Sequence, residues 1–140
     1  MAKYGSNSLI VAVDNSSGTP VTMTNYVTSI NAVSVEALLQ ETTAFGDAWQ
    51  EQLSTGMRRA EPIVVGGLYD DTSGGPDSVF NDVASGPADT ASTRTITITW
   101  GGSKTTACEA IITNYTRTAT RGELTAYEVT LTPTGTVTEA

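Results

Sequence analysis

Hydroxyl side chains are the most abundant candidate nucleophiles in this chain, which has 140 residues and 25 threonines. A serine or threonine hydroxyl needs a neighbouring base to attack a substrate, and histidine most often supplies that base. The chain contains no histidine. A lysine base would have to be Lys3 or Lys104, and no pattern places either one beside a buried serine. The sequence therefore argues against an enzyme, although paired carboxylates could still form an active site.

Carboxylates also cluster in one part of the chain, where they could bind a cation. The cluster consists of Asp70, Asp71, Asp77 and Asp82. Ca²⁺ prefers oxygen ligands of this kind, but the spacing of an EF-hand loop and its final glutamate are absent. We favour turn-forming, helix-capping and solvent-facing roles for these side chains. We therefore predict no metal and no cofactor, and ion binding by this cluster stays an open alternative.

The charge balance bears on possible partners of the protein. The net charge is −8, with only seven lysines and arginines. Affinity for nucleic acid rests largely on basic side chains that neutralise phosphates, so we expect no specific binding of DNA. Near the N-terminus the one apolar run, residues 9–13, is too short for a signal-peptide core or a membrane span. We therefore expect a protein that is neither exported nor bound to a membrane.

Alternating polar and apolar residues predict an all-β fold with one short helix. Strands are expected at 8–14, 57–69, 93–100, 105–116 and 123–133, with a weak extended stretch at 21–30. Residues 35–43 fit either a strand or a helix, 45–56 form a polar connection and 134–140 an exposed tail. Residues 101–104 read as a hairpin turn, and Gly66-Gly67 predicts a bulge or a close backbone approach. The helix is expected at about 76–84, and the whole is a β-sandwich or partly closed barrel.

Five segments, in their order and spacing, resemble the tail tube proteins (major tail proteins) of phages with long non-contractile tails. They are residues 34–49 (SVEALLQETTAFGDAW), 56–72 (GMRRAEPIVVGGLYDDT), 76–82 (PDSVFND), 94–105 (RTITITWGGSKT) and 121–138 (RGELTAYEVTLTPTGTVT). The resemblance implies a single tail tube domain over residues 1–140. It also implies that this chain lacks the C-terminal immunoglobulin-like decoration domain of many relatives.

The same resemblance implies a function in the virion tail. Six subunits would form a ring in which their sheets join into a ring-wide inner β-barrel, and the rings would stack into a tube for DNA ejection. The implied partners are further copies of the chain, the tape-measure protein, the distal tail protein and the tail terminator. DNA would pass through the lumen without specific binding, and assembly would take place in the host cytoplasm.

Two sets of residues are candidates for this function. The resemblance places an inter-ring loop at 45–56, where the candidate contact residues are Phe45, Asp47, Trp49 and Leu53. The acidic balance and the strand alternation suggest polar residues facing the lumen, with Glu36, Gln40, Glu128, Thr130 and Thr132 as candidates. Their apolar neighbours would then face the subunit core, namely Val35, Ala37, Leu39, Tyr127, Val129 and Leu131.

One alternative belongs to a different class of protein, a small β-sandwich decoration or adhesion module that acts as a monomer. Sizing of the purified protein distinguishes this module from a tube subunit, because the module would stay monomeric at high concentration. An enzyme is the third option, and a substrate-sized pocket lined by carboxylates would support it.

Overall fold

A computed structural model of the chain describes residues 3–15, 18–81 and 93–140. Within these residues strands dominate, which confirms the all-β class. The elements are β1 (Ile10–Asp14), β2 (Pro20–Thr22), β3 (Ser29–Ile30), β4 (Val35–Glu41), β5 (Gln52–Ala60), β6 (Ile63–Leu68), α1 (Pro76–Phe80), β7 (Arg94–Gly101), β8 (Lys104–Thr118) and β9 (Ala126–Glu139).

Seven of the strands form one antiparallel sheet that curls into a half-barrel, in the order β2-β1-β7-β8-β9-β6-β3. The partly closed barrel expected from the sequence is therefore confirmed. Strands β4 and β5 pair with each other in a separate two-stranded sheet. The residues that join β7 to β8 form the expected hairpin turn, in which Gly101, Gly102 and Ser103 have positive φ.

The core lies on one face of the seven-stranded sheet, and strand alternation decides which side chains enter it. In β7, Ile96 and Ile98 are each 1% exposed, whereas the threonines that alternate with them point to the opposite face. In β9, Tyr127, Val129 and Leu131 are buried, as the alternation predicts. We call the opposite side of the sheet the threonine face, which includes Thr95, Thr97, Thr99, Glu109, Glu128, Thr130 and Thr132.

Helix α1 begins where the sequence predicts. Pro76 occupies its first turn, where the missing N–H costs nothing, and Asp77 lies at the positive end of the helix dipole. Val79 and Phe80 are buried in the core. The helix ends at Phe80, with Asn81 as its cap, and residues 82–84 of the predicted helix, which include Asp82, lie outside the described residues. In the described part of the chain, no helix has the length and the apolar character needed to cross a membrane.

The glycine pair of β6 permits a close backbone approach, one of the two outcomes predicted for it. A Cβ atom on Gly67 would lie 1.8 Å from the carbonyl oxygen of Tyr26. Tyr127 in the neighbouring strand donates a 2.8 Å hydrogen bond from its hydroxyl to the same carbonyl. The absence of a side chain at Gly67 therefore lets the segment around Tyr26 pack against the end of the sheet.

Two of the predicted element boundaries are wrong. The single strand expected at 57–69 is two strands, β5 and β6, separated by Glu61 and Pro62, because proline has no N–H to donate to a ladder. The tail expected at 134–140 belongs largely to β9, which pairs with β8 as far as Glu139. Thr105 and Ala140 then exchange backbone hydrogen bonds of 2.9 and 3.0 Å. The 15-residue β8 needs a partner along its length, and the polar, threonine-rich C-terminus supplies one.

Candidate assembly surface

A hairpin of residues 35–60, here called the arm, exposes most of the large apolar side chains on the described surface. It consists of β4, β5 and the connection between them. Eleven large hydrophobic side chains are exposed in the described residues, and six of them lie in the arm: Val35, Leu39, Phe45, Trp49, Leu53 and Met57. A concentration of exposed apolar side chains of this kind marks an interaction surface.

Polar contacts shape the arm but add little stability. Arg59 donates to Glu36 on the paired strand and lies 3.3 Å from Glu61. The hydrogen bond and the charge of Glu36 raise the pKa of Arg59, so its positive charge is permanent. Exposed ion pairs of this kind contribute about 0–1 kcal/mol, and an isolated two-stranded hairpin is marginal in water. These polar contacts therefore contribute little to the stability of the arm.

The tip of the arm, residues 42–51, holds two aromatic side chains away from the rest of the subunit. Phe45 is fully exposed and Trp49 is 83% exposed. The Asp47 carboxylate accepts a 2.7 Å hydrogen bond from the backbone N–H of Ala44, and the Thr43 hydroxyl accepts one of 2.8 Å from the N–H of Glu51. These bonds fix the backbone of the tip, which presents two rigid aromatic groups to an incoming surface.

The arm brings together the four residues predicted for the inter-ring loop. Phe45, Asp47 and Trp49 lie at the tip, and Leu53 follows at the start of β5, where it is 62% exposed. The boundary of the predicted connection is partly wrong, since residues 52–56 belong to a strand. Asp47 has a local role that the sequence did not show, since its carboxylate closes the turn of the tip.

The prediction that alternate residues of β4 face the core is wrong. Val35 is 46% exposed, Leu39 is 57% exposed, and Ala37 is exposed as well. The alternation is the one expected of a strand, but β4 pairs only with β5 and lies outside the large sheet. A residue pattern gives the two faces of a strand and cannot tell whether the apolar face is covered by the same subunit or by another.

The lumen candidates fall into two separate groups. Glu128, Thr130 and Thr132 lie together on the threonine face, where the Thr132 hydroxyl is 3.2 Å from that of Thr113. The charged members of this face, as defined above, are Glu109 and Glu128, and both are acidic. Glu36 and Gln40 lie instead on the arm, so the structure does not place them beside Glu128.

The aspartates of the predicted cluster hold local structure. A hydrogen bond from the Thr72 side chain and one from its backbone N–H, 2.7 Å from Asp70 Oδ1, lower the pKa of Asp70. Asp77 accepts from the Tyr115 hydroxyl at 3.2 Å and lies 3.5 Å from Arg117. Among the described residues no three His, Cys, Asp or Glu side chains lie close enough to hold a metal ion. Asp82 lies outside the described residues.

Sequence analysis missed a recess at the end of β6, here called the tyrosine cleft, whose lining is part polar and part apolar. It has a volume of about 430 Å³ and is lined by Asn25, Tyr26, Leu68, Tyr69, Asp70, Leu124 and Thr125. Leu68 is 46% exposed and Leu124 is 74% exposed. The feature of the sequence that could have indicated this recess is Leu124, a single leucine between polar residues just before a strand.

No protein-family model and no curated protein sequence matches the chain. Its fold nevertheless occurs in solved structures. One protein in the tail of an empty gene transfer agent (GTA) particle, computed with helical refinement and C6 symmetry, has a TM-score of 0.77 and 17% identity over 99% of both chains. A chain in the baseplate of the anti-feeding prophage has a TM-score of 0.77 and 12% identity, over 100% of this chain and 97% of that chain. This chain shares its fold with these tail and baseplate proteins.

The Hcp protein is a more distant structural neighbour of this chain. Its TM-score is 0.52 at 12% identity, over 94% of this chain and 97% of that chain. The likeness extends over nearly the whole described chain in each case, so these proteins share the architecture and not merely one hairpin. At these identities the comparisons establish the fold, and the role of the arm has to be argued from its own chemistry.

Proposed function

We propose that this chain is a tail tube subunit of a phage-like particle with a long non-contractile tail. The observation that carries this proposal is the arm, which exposes six large apolar side chains on a fold shared with a tail protein of C6 symmetry. A monomer gains nothing by exposing Phe45 and Trp49, whereas a subunit that stacks would bury them against its neighbour. The role is structural and involves no enzymatic step.

The edges of the large sheet support assembly into a ring. The outermost strands, β2 and β3, are three and two residues long, and each leaves one side without a partner strand within the described subunit. Strand edges present unpaired N–H and C=O groups that add to a neighbouring sheet. We propose that six copies join in this way into a closed ring with a ring-wide inner β-barrel.

The threonine face is the surface proposed to line the channel, through Glu128, Thr130 and Thr132. Hydroxyl groups are well hydrated, and carboxylates repel phosphates over a Debye length of about 8 Å at physiological salt. DNA would therefore pass without adhering to the wall. Glu36 and Gln40 lie on the arm, so they would line the channel only if the arm itself faced it. Glu36 is already paired with Arg59.

Stacking of the rings is assigned to the arm, through Phe45, Trp49 and Leu53, with Asp47 holding the tip in shape. Contacts of this head-to-tail kind do not close on themselves, so they extend a filament. The expected partners are copies of the chain, the tape-measure protein in the lumen, and the distal tail and tail terminator proteins at the two ends. The site of action would be the virion tail, after assembly in the host cytoplasm.

Sedimentation and negative-stain microscopy of the concentrated protein test this proposal, with and without tail-tip complexes as nuclei. We expect a soluble subunit that converts to hollow tubes, more rapidly with nuclei and with added salt, because the charge of −8 delays association. A protein that stays monomeric under all these conditions would favour the decoration or adhesion module instead.

A further inference from the structure

The tyrosine cleft and the base of the arm lie at opposite ends of strand β6. Strand β5 of the arm ends at Ala60, and β6 begins three residues later at Ile63, beside Leu131 of β9. Strand β6 then runs to Leu68, which borders the cleft. Six residues of strand separate the two ends by roughly 16 Å. The direction of β6 therefore places the base of the arm at one end of this strand and the cleft at the other.

The walls of the cleft are fixed by contacts within the subunit. Tyr26 is held against the sheet because Gly67 has no side chain and because the Tyr127 hydroxyl donates to the Tyr26 carbonyl. The N–H of Tyr69 donates a 2.9 Å hydrogen bond to the carbonyl of Thr125, which ties the two sides of the cleft together. A preformed recess loses little entropy on binding, which favours the burial of a rigid aromatic group.

We propose that the tyrosine cleft receives the arm tip of a second copy of this chain, with Trp49 seated between Leu68 and Leu124. The proposal rests on the proposed function and specifies its contact. Leu68 and Leu124 supply exposed apolar surface for the indole ring. The indole N–H needs an acceptor when it is buried, and Asp70 is one of the residues that line the cleft. One Asp70 oxygen accepts from Thr72, and a carboxylate has capacity for further donors.

A second copy fits this cleft better than the arm of the same chain. The base of the arm lies beside residues 135–139 of β9, at the end of the sheet away from the cleft, so we assign the cleft to the arm of another copy. The described residues of each chain include both the arm and the tyrosine cleft. Pairing the arm of one copy with the cleft of the next gives a contact that repeats without closing, as a stack of rings requires.

Disulfide cross-linking in assembled tubes tests this contact. Gly46→Cys places a thiol on the tip between the two aromatics, where a Cβ atom meets nothing within 4 Å. Thr125→Cys places the partner thiol in the cleft without altering the backbone carbonyl that Tyr69 uses. Both are made with Cys108→Ala, which removes the native buried thiol. The control pair is Gly46→Cys with Thr136→Cys, because Thr136 lies beside the base of the arm at the opposite end.

Tubes of the first pair, treated with diamide as a mild oxidant, should shift from monomer to a ladder of linked subunits on non-reducing gels. The control pair should stay monomeric. Cross-linking through Thr136, or none in intact tubes, would overturn the cleft assignment while leaving tube formation established. Failure of the unmodified protein to form tubes would count against the proposed function itself.

Substitutions at Leu124 give a second readout if cysteine at the tip blocks assembly. Its side chain is 74% exposed, so neither Leu124→Glu nor Leu124→Met should alter the free subunit. We expect assembly to be lost with glutamate, which would put a charge against the indole, and to be kept with methionine. Any other pattern in these two variants would contradict the proposal.

Discussion

At the scale of single residues, Arg94 shows how a charge stabilises this core. It is 4% exposed and donates to the carbonyl of Val79 in α1 and, at 3.4 Å, to the carbonyl of Asp14 at the end of β1. A buried guanidinium is costly unless its donors are satisfied. The side chain therefore ties the helix to the sheet through groups that would otherwise lie unpaired in the core.

Replacing Arg94 should destabilise the subunit strongly. Arg94→Met keeps an unbranched apolar stem and removes the donors, so the free energy of unfolding should fall by about 3 kcal/mol. Urea denaturation followed by circular dichroism measures the change. The matched control is Arg121→Met at an exposed position, where we expect less than about 0.5 kcal/mol. Equal midpoints for the two variants would show that Arg94 is not a structural anchor.

Tyr115 should make the stability depend on pH in the alkaline range. Burial, followed by the charge of Asp77 and the hydrogen bond to it, raises the pKa of Tyr115 to about 12 from 10.0. Because the neutral phenol is favoured in the folded state, its contribution is complete below pH 10.0 and is lost as the pH rises through about 12. Burial raises the pKa of Tyr127 as well, so part of the effect is shared.

The variant Tyr115→Phe isolates this contribution, because it keeps the ring beside Phe80 and removes the ionisable hydroxyl. Urea unfolding at about pH 8 and about pH 11 should show a smaller loss of stability in the variant than in the parent. An identical loss in both proteins would assign the alkaline effect to other groups.

At the scale of elements, strand β6 needs glycine at one position. A methyl group at Gly67 would overlap the Tyr26 carbonyl oxygen at 1.8 Å, so Gly67→Ala forces the backbone to shift. We expect a loss of about 3 kcal/mol in the free energy of unfolding. Gly46→Ala is the control, because a Cβ atom there meets nothing within 4 Å. A stable Gly67→Ala protein would mean that the Tyr26 segment does not pack as described.

The arm is the element on which tube formation should depend. Trp49→Ala should abolish tubes and leave the circular-dichroism spectrum of the free subunit unchanged, because Trp49 is 83% exposed. Aromatic anchors at interfaces commonly contribute more than about 2 kcal/mol each. Trp49→Phe keeps an aromatic group and should retain some assembly. A free subunit of Trp49→Ala that unfolds would identify Trp49 as a core residue and refute the role given to the arm.

Strands inside the large sheet could be predicted from the sequence, whereas the separate pairing of β4 with β5 could not. In β7 the alternation of threonine and isoleucine is regular, and Ile96 and Ile98 are buried as expected. Residues of β4 alternate in the same way, yet Val35 and Leu39 are exposed. Local pattern reports which side chains share a face, whereas long-range packing decides what covers that face. The tyrosine cleft was missed for the same reason, because the pairing of Leu68 with Ala126 brings Leu68 and Leu124 to the same recess.

At the scale of the whole molecule, the sign of the charge on the threonine face should control passage of DNA. Glu128→Lys places a cation on the proposed channel wall, where it would hold phosphates by releasing counterions. Tubes should still form, because Glu128 is exposed and lies outside both the core and the arm. DNA ejection should slow or stall, most strongly at low salt. Glu123→Lys, in an exposed turn outside this face, is the control and should eject normally.

A cryo-EM map of tubes grown from the purified protein tests the central claim most directly, since it reports symmetry, stacking and orientation together. We expect six subunits per ring, density for each arm crossing to the next ring, and Glu128 on the channel wall. A map with Glu128 on the outer surface, or arms that stay within their own ring, would contradict the account.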